Sequence, residues 1–176
     1  MKILVIPDVH LKPWLFDWAE NILKAGQADN AVCLMDMPDD WNQEFWVDKY
    51  RETFDRAIRL AKDFPETLWC YGNHEISYVW AKLETGYSPY AENVVISKLE
   101  ELKNSLGDQS QIAFAHRIGR VIFSHGGLSS DYIAFLDESL LSADIDEVLA
   151  AVNGASPKYL WRDNSPLWLR PQRKNP

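Results

Sequence analysis

Hydrophobic residues follow two rhythms along this chain. Short unbroken apolar runs at Ile3–Ile6, Ala31–Met35 and Thr67–Tyr71 read as buried strands. Between them the spacing turns helical. Pro13 precedes Trp14–Lys24, a helix that carries proline in its first turn and that Gly26 ends. Gln43–Phe64 sets Phe54, Ile58 and Ala61 on one face, and Pro65 stops it. Glu75–Leu83 predicts a short helix, and Glu92–Leu106 a longer one closed by Gly107. Ile112–His116 and Arg120–Ser124 predict two strands joined through Arg117-Ile118-Gly119. Ser130–Leu136 and Asp144–Val152 predict helices. From Trp161 onward, with Pro166, Pro171 and Pro176, the pattern becomes an irregular tail.

Strand–helix alternation followed by a hairpin predicts one α/β domain over residues 1–176, with 161–176 as its tail. In such sheets, sites gather beyond the carboxyl ends of strands. The chemistry-bearing residues sit at such ends. Asp8 and His10 follow the first run, Asp36 the second, Asn73 and His74 the third, and His125 the last predicted strand. Asp8 and His10 are spaced to point the same way in extended chain and to share one divalent ion. Asp36 is placed to bridge to a second ion, held also by Asn73 and His125. Mixed oxygen and nitrogen donors suit Mn, Fe or Zn better than Ca. His74, oriented by an acid such as Asp39, is then free to protonate a leaving group.

Each motif has a plainer reading. Asp36 is also a helix cap, Gly72-Asn73 a turn, and His125-Gly126-Gly127 a turn with a packed imidazole. Four such motifs on strand ends are harder to read that way together. His116, inside a strand, reads as structural or surface.

Composition narrows the partners. The chain is 176 residues long and 47% hydrophobic, enough for one substantial core. A net charge of −8 makes it a poor non-specific nucleic-acid binder, although bound metal can still draw an anionic substrate. Cys33 and Cys70 lie inside apolar runs and read as buried thiols of a reducing compartment. No window suits a membrane span or a signal peptide, so the cytoplasm is the default expectation. Trp14, Trp18, Trp41, Trp46 and Trp80, among eight tryptophans, follow the metal candidates as core, as a shelf around the site or as an interface. Trp80, Tyr87 and Tyr90 are candidates for stacking on a substrate ring, with packing the plainer role.

These motifs resemble the calcineurin-like metallophosphoesterase superfamily. Asp8-Val9-His10 is similar to its first motif, Asp36-Met37-Pro38-Asp39 to its second, and Gly72-Asn73-His74-Glu75 to its third. Ser124-His125-Gly126-Gly127-Leu128 resembles the form found in the bacterial and phage serine/threonine protein phosphatase-like branch. The resemblance spans roughly residues 3 to 130 and weakly reaches Arg170. It implies a four-layer α-β-β-α sandwich of mixed sheets. It also implies two divalent ions, Mn foremost with Fe, Zn or Ni as alternatives. Asp8, His10 and Asp36 would hold one ion, and Asp36, Asn73 and His125 the other. His74 with Asp39 would serve catalysis, and a metal-activated hydroxide would attack a phosphate ester, most simply a phosphomonoester. The substrate would be a phosphorylated small molecule or a phosphoprotein.

The chain departs from the family pattern at three points. Met35 stands where the second motif has glycine. Asp40 stands where an arginine contacts phosphate, leaving Arg170 and then Arg162 as substitutes, each also readable as a surface residue. No histidine follows His125, where the family places one more metal ligand. The sheet's last strands are expected to be missing too, with the chain shortened, a fragment, or completed by a partner such as a second copy. An alternative function follows from these departures: a metal-binding but catalytically impaired relative that acts as a binding or interaction protein.

Overall fold

The computed structural model describes residues 1–170. β1 (Ile3–Ile6), β2 (Asn30–Cys33), β3 (Leu68–Cys70) and β4 (Ile112–Ala113) form a parallel sheet in that order. Ile6 pairs with Cys33, Cys33 with Trp69, and Trp69 with Ile112. The crossovers are α1 (Trp14–Lys24), α2 (Val47–Asp63), and then α3 (Asn73–Val79) with α4 (Glu92–Ser105). β5 (Ala115–Ile118) and β6 (Val121–Ser124) form a separate antiparallel pair. After β6 come α5 (Ser130–Leu136), α6 (Ile145–Asn153) and the single turn α7 (Pro157–Leu160). Parallel and antiparallel sheets with flanking helices make the mixed α/β sandwich that the motifs implied.

Two apolar clusters hold these layers. The larger joins Phe16 and Ala19 of α1, Phe54 and Ala57 of α2, and Val95 and Leu99 of α4 to Cys33 and Trp69 of the parallel sheet. The smaller joins Ala115 of β5 to Ile76, Tyr132, Val148, Val152, Leu160 and Leu167. Tyr71, directly after β3, packs against both. Cys33 and Cys70 are free and buried, and burial raises both thiols, Cys70 to about 12. No helix among the described residues is long and apolar enough to cross a membrane.

The predicted strand Ile112–His116 is two strands in different sheets, broken at Phe114. A side chain from far along the chain makes the break. Asn153, the last residue of α6, accepts hydrogen bonds from Phe114 N (3.0 Å) and Ala115 N (2.9 Å) with its amide oxygen. Its amide nitrogen donates to the Ala115 carbonyl at 2.9 Å. The side chain supplies what a neighbouring strand would otherwise supply. The hairpin turn lies at Gly119-Arg120, one step beyond the expected position, with Gly119 at φ +60°. α2 starts at Val47 rather than Gln43 because Asn42 is left-handed (φ 60°) and residues 43–46 form a separate turn. The tail is irregular but not loose. Trp161 packs edge-on to Trp168 at 4.4 Å and to Trp80 at 6.1 Å. The part of the predicted tail over 171–176 lies outside the described residues.

Asn153→Ala leaves two amides and one carbonyl of the strand switch unpaired. We expect it to lower unfolding free energy by about 2–4 kcal/mol, given roughly 1–3 kcal/mol per orphaned buried group with partial hydration. Urea denaturation checks this, and a change below 0.5 kcal/mol would show that the switch does not depend on this residue.

Candidate metal centre

Beyond β1 and β2 the two chains stay zipped although neither is a strand any longer. Val9 N donates to Met35 O (3.0 Å), His10 N to Asp36 O (2.7 Å) and Leu11 N to Met37 O (3.0 Å). The path requires left-handed backbone at His10 (φ 42°), Leu11 (φ 54°), Met35 (φ 56°), Asp36 (φ 51°) and Asp39 (φ 64°). Each non-glycine residue there costs about 1–2 kcal/mol. Met35 therefore keeps a conformation that favours glycine. Its side chain is fully buried, so its packing works against that strain.

Glu75 holds this strained loop. Its carboxylate is fully buried and accepts from Met37 N (2.5 Å), Gly72 N (3.1 Å) and Asp36 N (3.2 Å). Burial and the Asp36 charge push its pKa upward, against the pull of those amides. Gly72 lets the third motif approach this closely. A Cβ there would lie 2.8 Å from Asp36 N and would overlap the Asp36 carboxylate. Sequence reading assigned Glu75 no role. Its place three residues after the helix-capping Gly72 is the capping-box signal that marks it.

Asp36, so fixed, faces both sides of the centre. Its Oδ2 lies 3.5 Å from His10 Nε2 and 3.3 Å from His125 Nε2, and its Oδ1 accepts from His74 N at 3.0 Å. Two groups of donor atoms lie close enough to hold an ion: His10, Asp36 and His74, and Asp8, Asp36 and His125. Asp8 is thus grouped with His125 rather than with His10. Asn73 extends the second group, with Oδ1 3.1 Å from His125 Nε2.

The chemistry of these donors fits divalent ions. His125 Nδ1 donates to Leu34 O (2.9 Å) and His10 Nδ1 to Asp39 O (2.9 Å), which leaves each Nε2 as a lone pair. Around His125 Nε2, the Asp36 and Asn73 oxygens are also acceptors. Three lone-pair groups converge there, and a cation would satisfy them together. The mixed N/O set, with carbonyl-oriented imidazoles, matches transition-metal preference.

His74 and Asp39 stand beside these donors. His74 Nδ1 is 2.8 Å from Asp39 Oδ2, and the His74 ring meets the His10 ring edge-on at 5.1 Å. Burial opposes the charged form of His74. The hydrogen bond to Asp39 and the charges of Asp36, Asp39 and Glu75 outweigh it and raise the pKa to about 9. The other Asp39 oxygen accepts from Tyr78 (2.5 Å) and Tyr50 (3.1 Å), whose phenols are raised by burial and by that carboxylate. Sequence reading missed both tyrosines, which look like ordinary core positions of α2 and α3. A cleft of about 200 Å³ opens here, lined by His10, Asp39, Asp40, Trp41, His74 and the Thr85-Gly86 turn.

Asp40 does not face the cleft as a bare acid. Lys12 Nζ lies 3.2 Å from its Oδ2 and donates to His10 O at 2.9 Å. Arg170 reaches the centre, with Nη2 3.1 Å from His125 Nε2. Arg162 lies over the Phe135 ring at 4.0 Å, in a separate groove with Glu84, Trp161, Asp163 and Trp168. His116 is structural, with Nε2 3.0 Å from Trp69 O, and burial lowers its pKa. Tyr87 stacks on Tyr78, Tyr90 pairs with Phe45, and Trp80 packs on Phe114. Trp41 is the tryptophan at the cleft.

Metal-donor loops at strand ends of a mixed α/β sandwich define a metallophosphoesterase framework. The family model described as calcineurin-like phosphoesterase matches residues 1–174, well past the span that the motifs carry. No curated protein and no solved structure matches the chain. The chain belongs to the calcineurin-like phosphoesterase family.

Glu75→Ala orphans three amides, and at about 1–3 kcal/mol each we expect a loss of roughly 3 kcal/mol or more. Gly72→Ala keeps the Glu75 carboxylate but pushes the Asp36 carboxylate and amide aside. We expect it to weaken metal uptake more than it weakens the fold. Chemical denaturation beside metal titration separates the two, and equal effects of both substitutions on both readouts would contradict this division of roles.

Proposed function

We propose that this protein hydrolyses phosphate esters, phosphomonoesters foremost, with His74 as proton donor beside a dinuclear Mn centre. The observation that carries the reading is the His74–Asp39 pair, 2.8 Å apart and adjoining two sets of metal donors. In this reading His10 and Asp36 hold one ion, Asp36, Asn73 and His125 hold the other, and Asp8, grouped with Asp36 and His125, lies on the side of the second. Bound divalent ions supply Lewis acidity toward phosphoryl oxygens and acidify water. Asp39 keeps one face of the imidazole occupied and favours its charged form, so His74 carries a proton at neutral pH. As the oxygen of water bonds to phosphorus and the ester P–O bond breaks, that proton passes to the leaving oxygen. Asn73 and Arg170 contact the phosphoryl group, whereas Arg162, expected as a second substitute, lies over Phe135 in a separate groove and takes no part.

Several features support the finer placement. The His-Gly-Gly-Leu string at 125–128 and Trp-x-Arg-Pro at 168–171 favour the bacterial and phage serine/threonine protein phosphatase-like branch. That branch favours a phosphorylated small molecule or phosphoprotein as substrate. The acidic loop disfavours nucleic acid. Two buried free thiols suit the cytoplasm, and exposed Trp18, Trp41 and Trp46 suit self-association. A second reading, a metal-binding relative with impaired catalysis, is favoured by one observation. Arg170 Nη2 lies 3.1 Å from His125 Nε2, the nitrogen an ion would use.

Purified protein assayed with an aryl phosphomonoester and Mn tests the proposal. We expect turnover, and we expect His74→Asn to lower kcat by about 10²–10⁴-fold while two Mn ions still bind. Wild-type protein that binds Mn but turns over none of the ester would overturn this reading and favour the second.

A further inference from the structure

The contact between Arg170 and His125 has a consequence for metal loading. His125 Nδ1 is committed to the Leu34 carbonyl, so Nε2 offers a single lone pair. That lone pair can accept an N–H or bind an ion, but not both. Arg170 Nη2, 3.1 Å away, can only donate. Asp36 Oδ2 (3.3 Å from Nε2) and Asn73 Oδ1 (3.1 Å) are acceptors that converge on the same spot. A cation there would satisfy all three, and at His125 Nε2 the chain supplies a donor of its own.

The guanidinium is delivered to this place by a docked strap. Gly126 N donates to Pro166 O (2.5 Å) and Gly127 N to Leu169 O (2.7 Å). A Cβ on Gly126 would come within 2.9 Å of Leu169 N, so only glycine admits the strap. Ser165 Oγ donates to Leu160 O at 2.6 Å and ties the other end. Lys12 is occupied with Asp40 and the His10 carbonyl, and His116 with Trp69 O. On the other side of Asp36, His10 Nε2 makes no such hydrogen bond with an arginine or lysine among the described residues.

We propose that in the metal-free centre Arg170 occupies the lone pair of His125 Nε2 and competes with the second divalent ion for it. The inference rests on the metal-centre reading above. An ion entering this position must break the Arg170–His125 hydrogen bond and tolerate a neighbouring positive charge. An ion on the His10 side does not have to break that hydrogen bond, so Arg170 weakens one of the two positions selectively. The released guanidinium is then available to the phosphoryl group.

Titration of metal-free protein with Mn by calorimetry tests this, comparing wild type with Arg170→Met and Arg170→Gln. We expect two events in wild type. In both variants the weaker event tightens about tenfold or more, the equivalent of losing one charge-assisted hydrogen bond, and the tighter event is unchanged. Electron paramagnetic resonance at two equivalents of Mn should show a larger exchange-coupled fraction in the variants. An unchanged or weaker second event in the variants overturns the inference but leaves the metal centre standing. Failure of wild type to bind any Mn removes the metal-centre reading and this inference together. Melting temperature reports whether each variant is folded, and two variants keep the comparison open if one is not.

Discussion

A single buried carboxylate holds the three loops of this centre in register. Glu75 sits at the start of α3 and accepts the amides of Asp36, Met37 and Gly72, which belong to two different strand ends. Those bonds act with the burial of Met35 to offset the strain of the left-handed run at Met35 and Asp36. Asp36 is the one side chain that faces both imidazoles, so its position decides whether there are two adjoining donor groups or none. The site is thus built from the inside outward. Backbone amides fix a carboxylate, the carboxylate fixes the loop, and the loop presents the donors.

The second half of the centre depends on parts that contribute no metal donor. β6 carries His125 into place, and the strap at 165–169 grips the glycines that follow it. The Trp161–Trp168 contact and the burial of Leu167 hold the strap against α3 and α7. Arg170 and His125 are therefore linked through a packed segment rather than a free arm. That linkage is what gives a guanidinium a defined relation to one imidazole nitrogen.

Much of the centre was legible in the sequence because strand ends in a parallel sheet announce themselves. An apolar run stops, and an acid, a glycine or a histidine follows. Asp8, His10, Asp36, Asn73 and His125 were found in this way, and the structure brings them together. The antiparallel hairpin was also legible, though displaced by a residue at Gly119. The sheet switch at Phe114 was not, because apolar residues continue across it and the break is enforced by Asn153, 39 positions away. Tyr50 and Tyr78 were hidden for a related reason. Their rings belong to the core pattern, and only the hydroxyl positions tie them to Asp39. Lys12 was overlooked because its relation to Asp40 crosses two loops. Met35 was read as a departure from the glycine of the second motif, and the backbone there keeps the left-handed path that a glycine would favour.

The strap also bears on the order in which this protein assembles. A chain leaving the ribosome exposes the Asp8 loop first, then Asp36, then Asn73 and Glu75, and these can close on one another as the parallel sheet forms. His125 arrives later, and its companion Arg170 lies 45 positions further on. For the whole of that interval His125 lacks its guanidinium companion. On the proposed competition, a nascent chain would pass through a window in which that guanidinium does not oppose a divalent ion.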